Sequence, residues 1–182
     1  MHPPDLQVRL LTADETRDPQ VISCCVKIIN DVYREAEEGI WRPGIVRMDE
    51  PEMKRWCDAN EVCVAVTNSD NQQLKIVGVM RVRKLSEREV EFGPLAVLPA
   101  HRRGGLGRRL VEYAENLAKS TGAGRTSMRM LIPRTRPHEG KQVLRKWYEA
   151  QGYRFVQQKP VAPSMEHRYD GPHDFVEMAK GL

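Results

Sequence analysis

Apolar positions between Val21 and Val32 recur at helical spacing: Val21, Ile22, Cys25, Ile28, Ile29 and Val32 share one stripe. Asp18 and Pro19 precede them. Aspartate is a good N-cap acceptor, and proline has a fixed φ and no N–H to satisfy, so a helix is expected from Pro19 to about Ala36, with Gly39 as its stop. A shorter helix is expected from about Pro51 to Ala59, where Met53 and Trp56 share a face. Val8 to Leu11, Val62 to Thr67 and Leu74 to Lys84 are short apolar or β-branched runs and read as strands. Asn68 to Asn71 and Glu87 to Glu89 are polar turns, so the strands around them form an antiparallel meander that continues into Val90 to Leu98. Gly93-Pro94 interrupts this last strand. Proline offers no N–H to a ladder, and a bulge that opens the sheet is predicted there.

The second half repeats the alternation. Leu106, Leu110, Val111, Ala114 and Leu117 give the buried face of a helix from Leu106 to Ser120, ended by Gly122 and Gly124. A strand follows at Thr126 to Ile132, then a basic loop at Pro133 to Gly140. Lys141 to Gln151 reads as a helix on Val143, Leu144, Trp147 and Tyr148, stopped by Gly152. Strands at Tyr153 to Gln158 and Phe175 to Ala179 close the chain around a proline-rich loop at Pro160 to Pro172. This order predicts an α/β (α+β) fold with a mixed, largely antiparallel sheet of about six to seven strands and about four helices.

Length bounds the organisation: 182 residues hold one sizeable core, so a single domain over 1–182 is expected, with its core from about 8 to 179. Lys plus Arg number 29 and Asp plus Glu 25, a net charge of +4. The basic excess gathers between Arg102 and Arg109 and between Arg125 and Arg145, which suits a polyanionic small molecule. No aromatic residues interleave with it for base stacking, so no nucleic-acid partner is expected. Cys24, Cys25, Cys57 and Cys63 form no C-x-x-C pair and lie far from the histidines, so reduced core thiols and no metal are expected. No long apolar run occurs and Met1 to Val8 lacks a leader's apolar core, so the expectation is a cytoplasmic protein with no membrane partner.

The chemistry concentrates in Glu91 to Gly107, where a strand runs into a loop with three glycines, Gly104, Gly105 and Gly107, that opens a helix. Such a helix start exposes unpaired N–H groups and the positive end of the dipole, and glycines let an anion come close. Arg102, Arg103, Arg108 and Arg109 flank it. No Gly-Lys-Ser/Thr follows, so this is not a P-loop. Leu110 stands where a dinucleotide fingerprint needs its last glycine.

What matches is the pattern Gln/Arg-x-x-Gly-x-Gly/Ala, here Arg102-Arg103-Gly104-Gly105-Leu106-Gly107. With Leu95-Ala96-Val97-Leu98-Pro99 before it and Tyr148-Glu149-Ala150-Gln151-Gly152-Tyr153 after it, the chain resembles the GNAT superfamily of acyl-CoA N-acyltransferases from Val8 to Ala179. The resemblance implies acetyl-CoA as co-substrate. Its pyrophosphate would lie on the backbone of Arg102, Arg103, Gly104, Gly105, Leu106, Gly107 and Arg108, and its pantetheine arm along Leu95, Ala96 and Val97 as an added strand. It implies Tyr148 as proton donor to the departing thiolate and Glu91 as general base.

The same resemblance points to the segment after the first long helix as the acceptor wall. There Tyr33, Glu37 and Trp41 (with Glu38) would hold a cationic amine. Arg134, Arg136, His138 and Lys141 are expected on the opposite side, facing a carboxylate or the 3′-phosphate of CoA. The expected reaction is acetyl transfer to a primary amine of a small molecule in a ternary complex. A peptide or protein N-acetyltransferase and a silent CoA-binding module are the alternatives. The chain is expected to be a monomer or a homodimer, with the strand at Phe175 as the candidate sheet edge for pairing.

Overall fold

The computed structural model describes residues 6–68 and 74–182, so the turn expected at Asn68 to Asn71 lies, beyond Asn68, outside it. The regular elements are β1 (Gln7–Leu10), α1 (Pro19–Ala36), α2 (Glu50–Asp58), β2 (Val62–Asn68), β3 (Leu74–Ser86) and β4 (Glu89–Val97). They continue with α3 (Leu106–Ser120), β5 (Arg125–Pro133), α4 (Glu139–Ala150), β6 (Arg154–Pro160) and β7 (His173–Gly181). Short 3₁₀ turns occupy Glu15–Arg17, Pro99–His101 and Pro163–Arg168. Two of the helix starts have aspartate caps: Asp18 accepts from the Gln20 N–H at 2.8 Å and Asp49 from the Glu52 N–H at 2.7 Å.

The strands form one sheet of seven, in the order β1-β2-β3-β4-β5-β7-β6. All neighbours are antiparallel except β4 and β5. Period-two alternation divides β2 between two cores. Val62, Val64 and Val66 face α1 and α2, where they meet Ile29, Met53 and Trp56. Cys63 and Ala65 face α3, with Leu110, Val111 and Ala114. A third cluster, Ile40, Leu131, Val161 and Tyr169, lies beneath the segments that follow α1 and β6.

The opening in the sheet is where the sequence puts it. β3 and β4 change register between Met80 and Val82, where Gly93 and Pro94 stand opposite Arg81 alone. Gly93 has φ 116°, a backbone shape that a side chain resists. β4 and β5 pair only from Glu89 with Arg125 to Phe92 with Met128, and then diverge. Beyond that point β5 pairs only with β7.

Three expectations are corrected. β7, with Phe175, lies between β5 and β6 and is interior, so β6 is the edge on that side. Val143 does not pack: it is 68% exposed on α4, because this helix turns Lys141, Leu144 and Tyr148 inward instead. Of the four cysteines, Cys25, Cys57 and Cys63 are buried and Cys24 is exposed.

Candidate active site

The glycine loop forms an uncapped helix start. Gly105 is the N-cap of α3 at φ 77°, with no side chain closing the first turn. The helix rule then leaves the N–H groups of the first turn, from Leu106 on, without intrahelical acceptors. A Cβ placed at Gly104 or Gly105 would meet nothing within 4 Å, so the space over the loop is open. Gly107 is different, since a Cβ there would lie 3.5 Å from the Trp147 ring, and α4 packs against the cradle at that point. Arg103 adopts φ 66°, a strained shape for an arginine that points to a loop held for a purpose. The arginines divide their tasks. Arg102 is tied to the Val97 carbonyl at 3.2 Å and to Glu35 at 3.4 Å. Arg108 pairs with Glu112 along the exposed helix. Arg109 leaves the cradle and donates to the Leu6 carbonyl at 2.6 Å.

From the cradle one cavity of about 820 Å³ runs through the divergence of β4 and β5 to the segments after α1 and β6. Arg102, Arg103, Gly105, Leu106, Gly107 and Arg108 line its near end, and Leu95 and Val97 line the passage. Ala96 does not; its side chain is buried in the α1–α2 core. A polyanion with a long, narrow arm fits this shape: backbone N–H groups for its phosphates, then the diverging edge of β4 for its amides, where the Leu95 N–H and the Val97 carbonyl already have side-chain partners in Tyr33 and Arg102.

Tyr148 comes off α4 onto the passage, buried and in edge contact with Trp147 and Tyr153. Burial pushes its hydroxyl well above the usual range, so it stays protonated. Tyr33 is also there. Its hydroxyl accepts from the Leu95 N–H at 3.2 Å and lies 3.4 Å from the Leu95 carbonyl, and burial lifts it to about 12. Tyr33 therefore bears on the strand edge where a thioester would lie, rather than on the acceptor alone.

Glu91 lines the same passage but is not free. Its carboxylate accepts from Arg83 Nε and Arg129 Nε, both at 2.9 Å. To act as a base it would have to give up ion pairs on both sides, which does not suit the role the family resemblance implies.

The expected acceptor residues are rearranged. Glu37 is 4% exposed, and its two oxygens are used: one pairs with Lys141 Nζ and the other accepts from Trp41 Nε1 at 2.6 Å. The sides expected to face each other across a substrate thus meet as a buried ion pair. Arg134 pairs with Asp174 at 2.6 Å, and Arg136 is hydrogen-bonded to the Gly39 carbonyl. His138 is the N-cap of α4 and not a wall of the cavity. Trp41 does line it, 4.9 Å from Tyr169 between ring centroids.

Several lining residues carry no signal in the sequence pattern: Arg47, Arg129, Met165, Arg168, Tyr169 and Phe175. Arg47 and Tyr169 come from irregular segments, Met165 and Arg168 from the 3₁₀ turn at Pro163–Arg168, and Arg129 and Phe175 from β5 and β7.

The Acetyltransferase (GNAT) family matches residues 27–153, well over half the chain. Solved structures share the fold. One is a GNAT-family acetyltransferase of Staphylococcus aureus, with a TM-score of 0.64 and 14% identity over 97% of this chain and 99% of that one. Another is the ribosomal-protein-alanine N-acetyltransferase of Brucella melitensis, at 0.62 and 18% over 97% and 99%. The yncA protein of Salmonella typhimurium, solved with acetyl-CoA, aligns at 0.60 and 17% over 98% and 94%. No curated protein matches the sequence. The family match and the cradle, passage and buried tyrosine agree: this chain belongs to the GNAT acetyltransferase family.

Proposed function

We propose that the enzyme moves the acetyl group of acetyl-CoA directly to a primary amine of a small molecule, with both substrates bound at once. The observation that carries this reading is the roof over the far end of the cavity. Trp41 and Tyr169 form an isolated β-bridge, Arg42 Nε donates to the Tyr169 carbonyl at 2.8 Å, and Arg168 donates to the Val46 carbonyl at 3.1 Å. These contacts tie the segments after α1 and β6 to each other across the acceptor end. A small molecule fits beneath such a roof, whereas a peptide needs an open groove for its trailing chain. Peptide acceptors remain the second reading because two fold neighbours are named as ribosomal-protein alanine N-acetyltransferases.

In this reading the α3 start holds the pyrophosphate, and the pantetheine arm lies along Leu95 and Val97, where it competes with the Tyr33 hydroxyl for the Leu95 backbone. Acetyl-CoA supplies the activated acyl carbon. The amine nitrogen forms the new C–N bond as the C–S bond breaks, and the neutral Tyr148 hydroxyl donates to the departing sulfur. Glu91 keeps Arg83 and Arg129 in place, and the amine proton leaves through water.

The deciding experiment incubates the protein with acetyl-CoA and, separately, a panel of small primary amines and a panel of peptides with free N-termini. Release of CoA with small amines supports the reading; acetylation confined to peptides sinks it.

A further inference from the structure

The charges around the acceptor end do not cancel. Glu37 is paired with Lys141, Glu91 with Arg83 and Arg129, and Arg81 with Glu61. Three lining groups remain outside these pairs: Arg47, Arg168 and Glu52. Among the described residues none of the three is in an ion pair, so two cations stand against one carboxylate.

Arg47 is the better placed of the two cations. The residue is half-buried, with its guanidinium carbon 5.2 Å from the Tyr33 ring centroid and 5.6 Å from that of Trp41. Arg168 lies over Trp41 at 5.2 Å but has an N–H committed to the Val46 carbonyl. Among the described residues no hydrogen bond engages the Arg47 side chain, so its in-plane N–H donors are available, and such donors match a planar carboxylate with two parallel hydrogen bonds. A half-buried cation with no counter-ion is costly, and a substrate anion would relieve that cost on binding. The positions of Tyr33 and Trp41 are linked to the reaction centre. Tyr33 holds Leu95, and Trp41 belongs to the roof.

We infer that Arg47 is the carboxylate anchor of the acceptor site, and that the acceptor is an amino acid or a similar small amine bearing a carboxylate. This rests on the small-molecule reading above. The arrangement divides the tasks: Arg47 takes the carboxylate, and the amine loses its proton to water before it attacks. Glu52 gives the incoming ammonium a counter-charge at the same end.

The test uses matched acceptors, each L-amino acid and several ω-amino acids against the corresponding carboxamide, with acetyl-CoA saturating. The free acids are expected to have kcat/KM higher by about 10- to 100-fold, the worth of a charged hydrogen-bonded pair. In Arg47→Met the ratio should fall towards one, and in Arg47→Lys it should return in part. Arg34→Met, on the exposed side of α1, should keep it. Amides used as well as acids by the natural protein, or a ratio unchanged in Arg47→Met, overturn the inference. If only peptides are acetylated, the small-molecule reading fails, and the anchor is judged separately by heat stability. Glutarate should raise the Tm of the CoA-loaded natural protein and not that of Arg47→Met; no rise in the natural protein overturns the anchor.

Discussion

The two ends of the cavity are built in opposite ways. The cradle end is one contiguous run, Arg102 to Arg108, and its working groups are backbone N–H donors offered by a helix start at Gly105. The acceptor end takes side chains from α1 and α2, from the segments after α1 and β6, and from β5, α4 and β7. A phosphate cradle needs only a turn shape and glycines, so local sequence is enough to make it. An acceptor pocket needs particular side chains at particular distances, which only the assembled fold supplies. In the proposed function the shared ligand would be bound by backbone and the variable one by side chains.

The largest expected effect strikes the cradle. Gly105→Glu places a side chain on a backbone at φ 77° and a carboxylate where phosphates would lie. Acetyl-CoA affinity should drop by at least about 100-fold in a calorimetric titration, with the fold retained by circular dichroism. Gly105→Ala carries only the backbone strain, and about a tenfold loss is expected. Equal losses in both would mean that conformation alone, and not the open anion site, matters there.

Next in size is the passage between the ends. Tyr148→Phe should lower kcat by about 100-fold while the affinity for acetyl-CoA stays as it was. Burial raises Tyr148 and lifts Tyr33 to about 12, so both hold their protons to higher pH than a free phenol. No fall of kcat from phenol ionisation is therefore expected up to about pH 10. A kcat that declines from neutral pH in the natural protein but not in Tyr148→Phe would keep Tyr148 as the proton donor and overturn the upward shift that burial gives it.

The same contrast explains what is legible in the sequence. α1 and α3 fall where periodicity and caps put them, because an apolar stripe and an Asp-Pro or glycine start are local properties. The bulge at Gly93-Pro94 is legible for the same reason. β7 is not: whether Phe175 lies at an edge depends on β6 adding outside it, a choice made between strands and not within one. The four-residue pattern on α4 admits Val143 as well as Leu144, and only the packed sheet decides between them. Glu37 reads as an exposed substrate anchor because its partner, Lys141, is 104 residues away.

The acceptor end should respond to the loss of that pair in stability before it responds in chemistry. Glu37→Leu leaves Lys141 buried without its carboxylate and removes the acceptor of the Trp41 N–H. A cost of about 3 to 5 kcal/mol is expected in urea unfolding. Adding Lys141→Met should restore much of it, because the isolated charge is then gone. A single variant as stable as the natural protein would mean that the pair is dispensable to the fold and would return Glu37 to the list of substrate contacts.

The smallest effect is expected at Glu91, which lies between the two regions and tests the boundary between them. A base must accept a proton, and Glu91 spends its oxygens on Arg83 and Arg129 at 2.9 Å each. Protonating it would leave both guanidinium groups short of a partner beside a site that already has surplus positive charge. Glu91→Gln keeps the shape and one acceptor oxygen, so kcat should fall by less than about tenfold, against 100-fold or more for loss of a true base. A fall of 100-fold or more, with acetyl-CoA affinity unchanged, would assign the proton to Glu91 after all. The two ion pairs would then be the means by which its carboxylate is kept charged and aimed, and catalysis would belong to the side-chain end of the cavity and not to its backbone end.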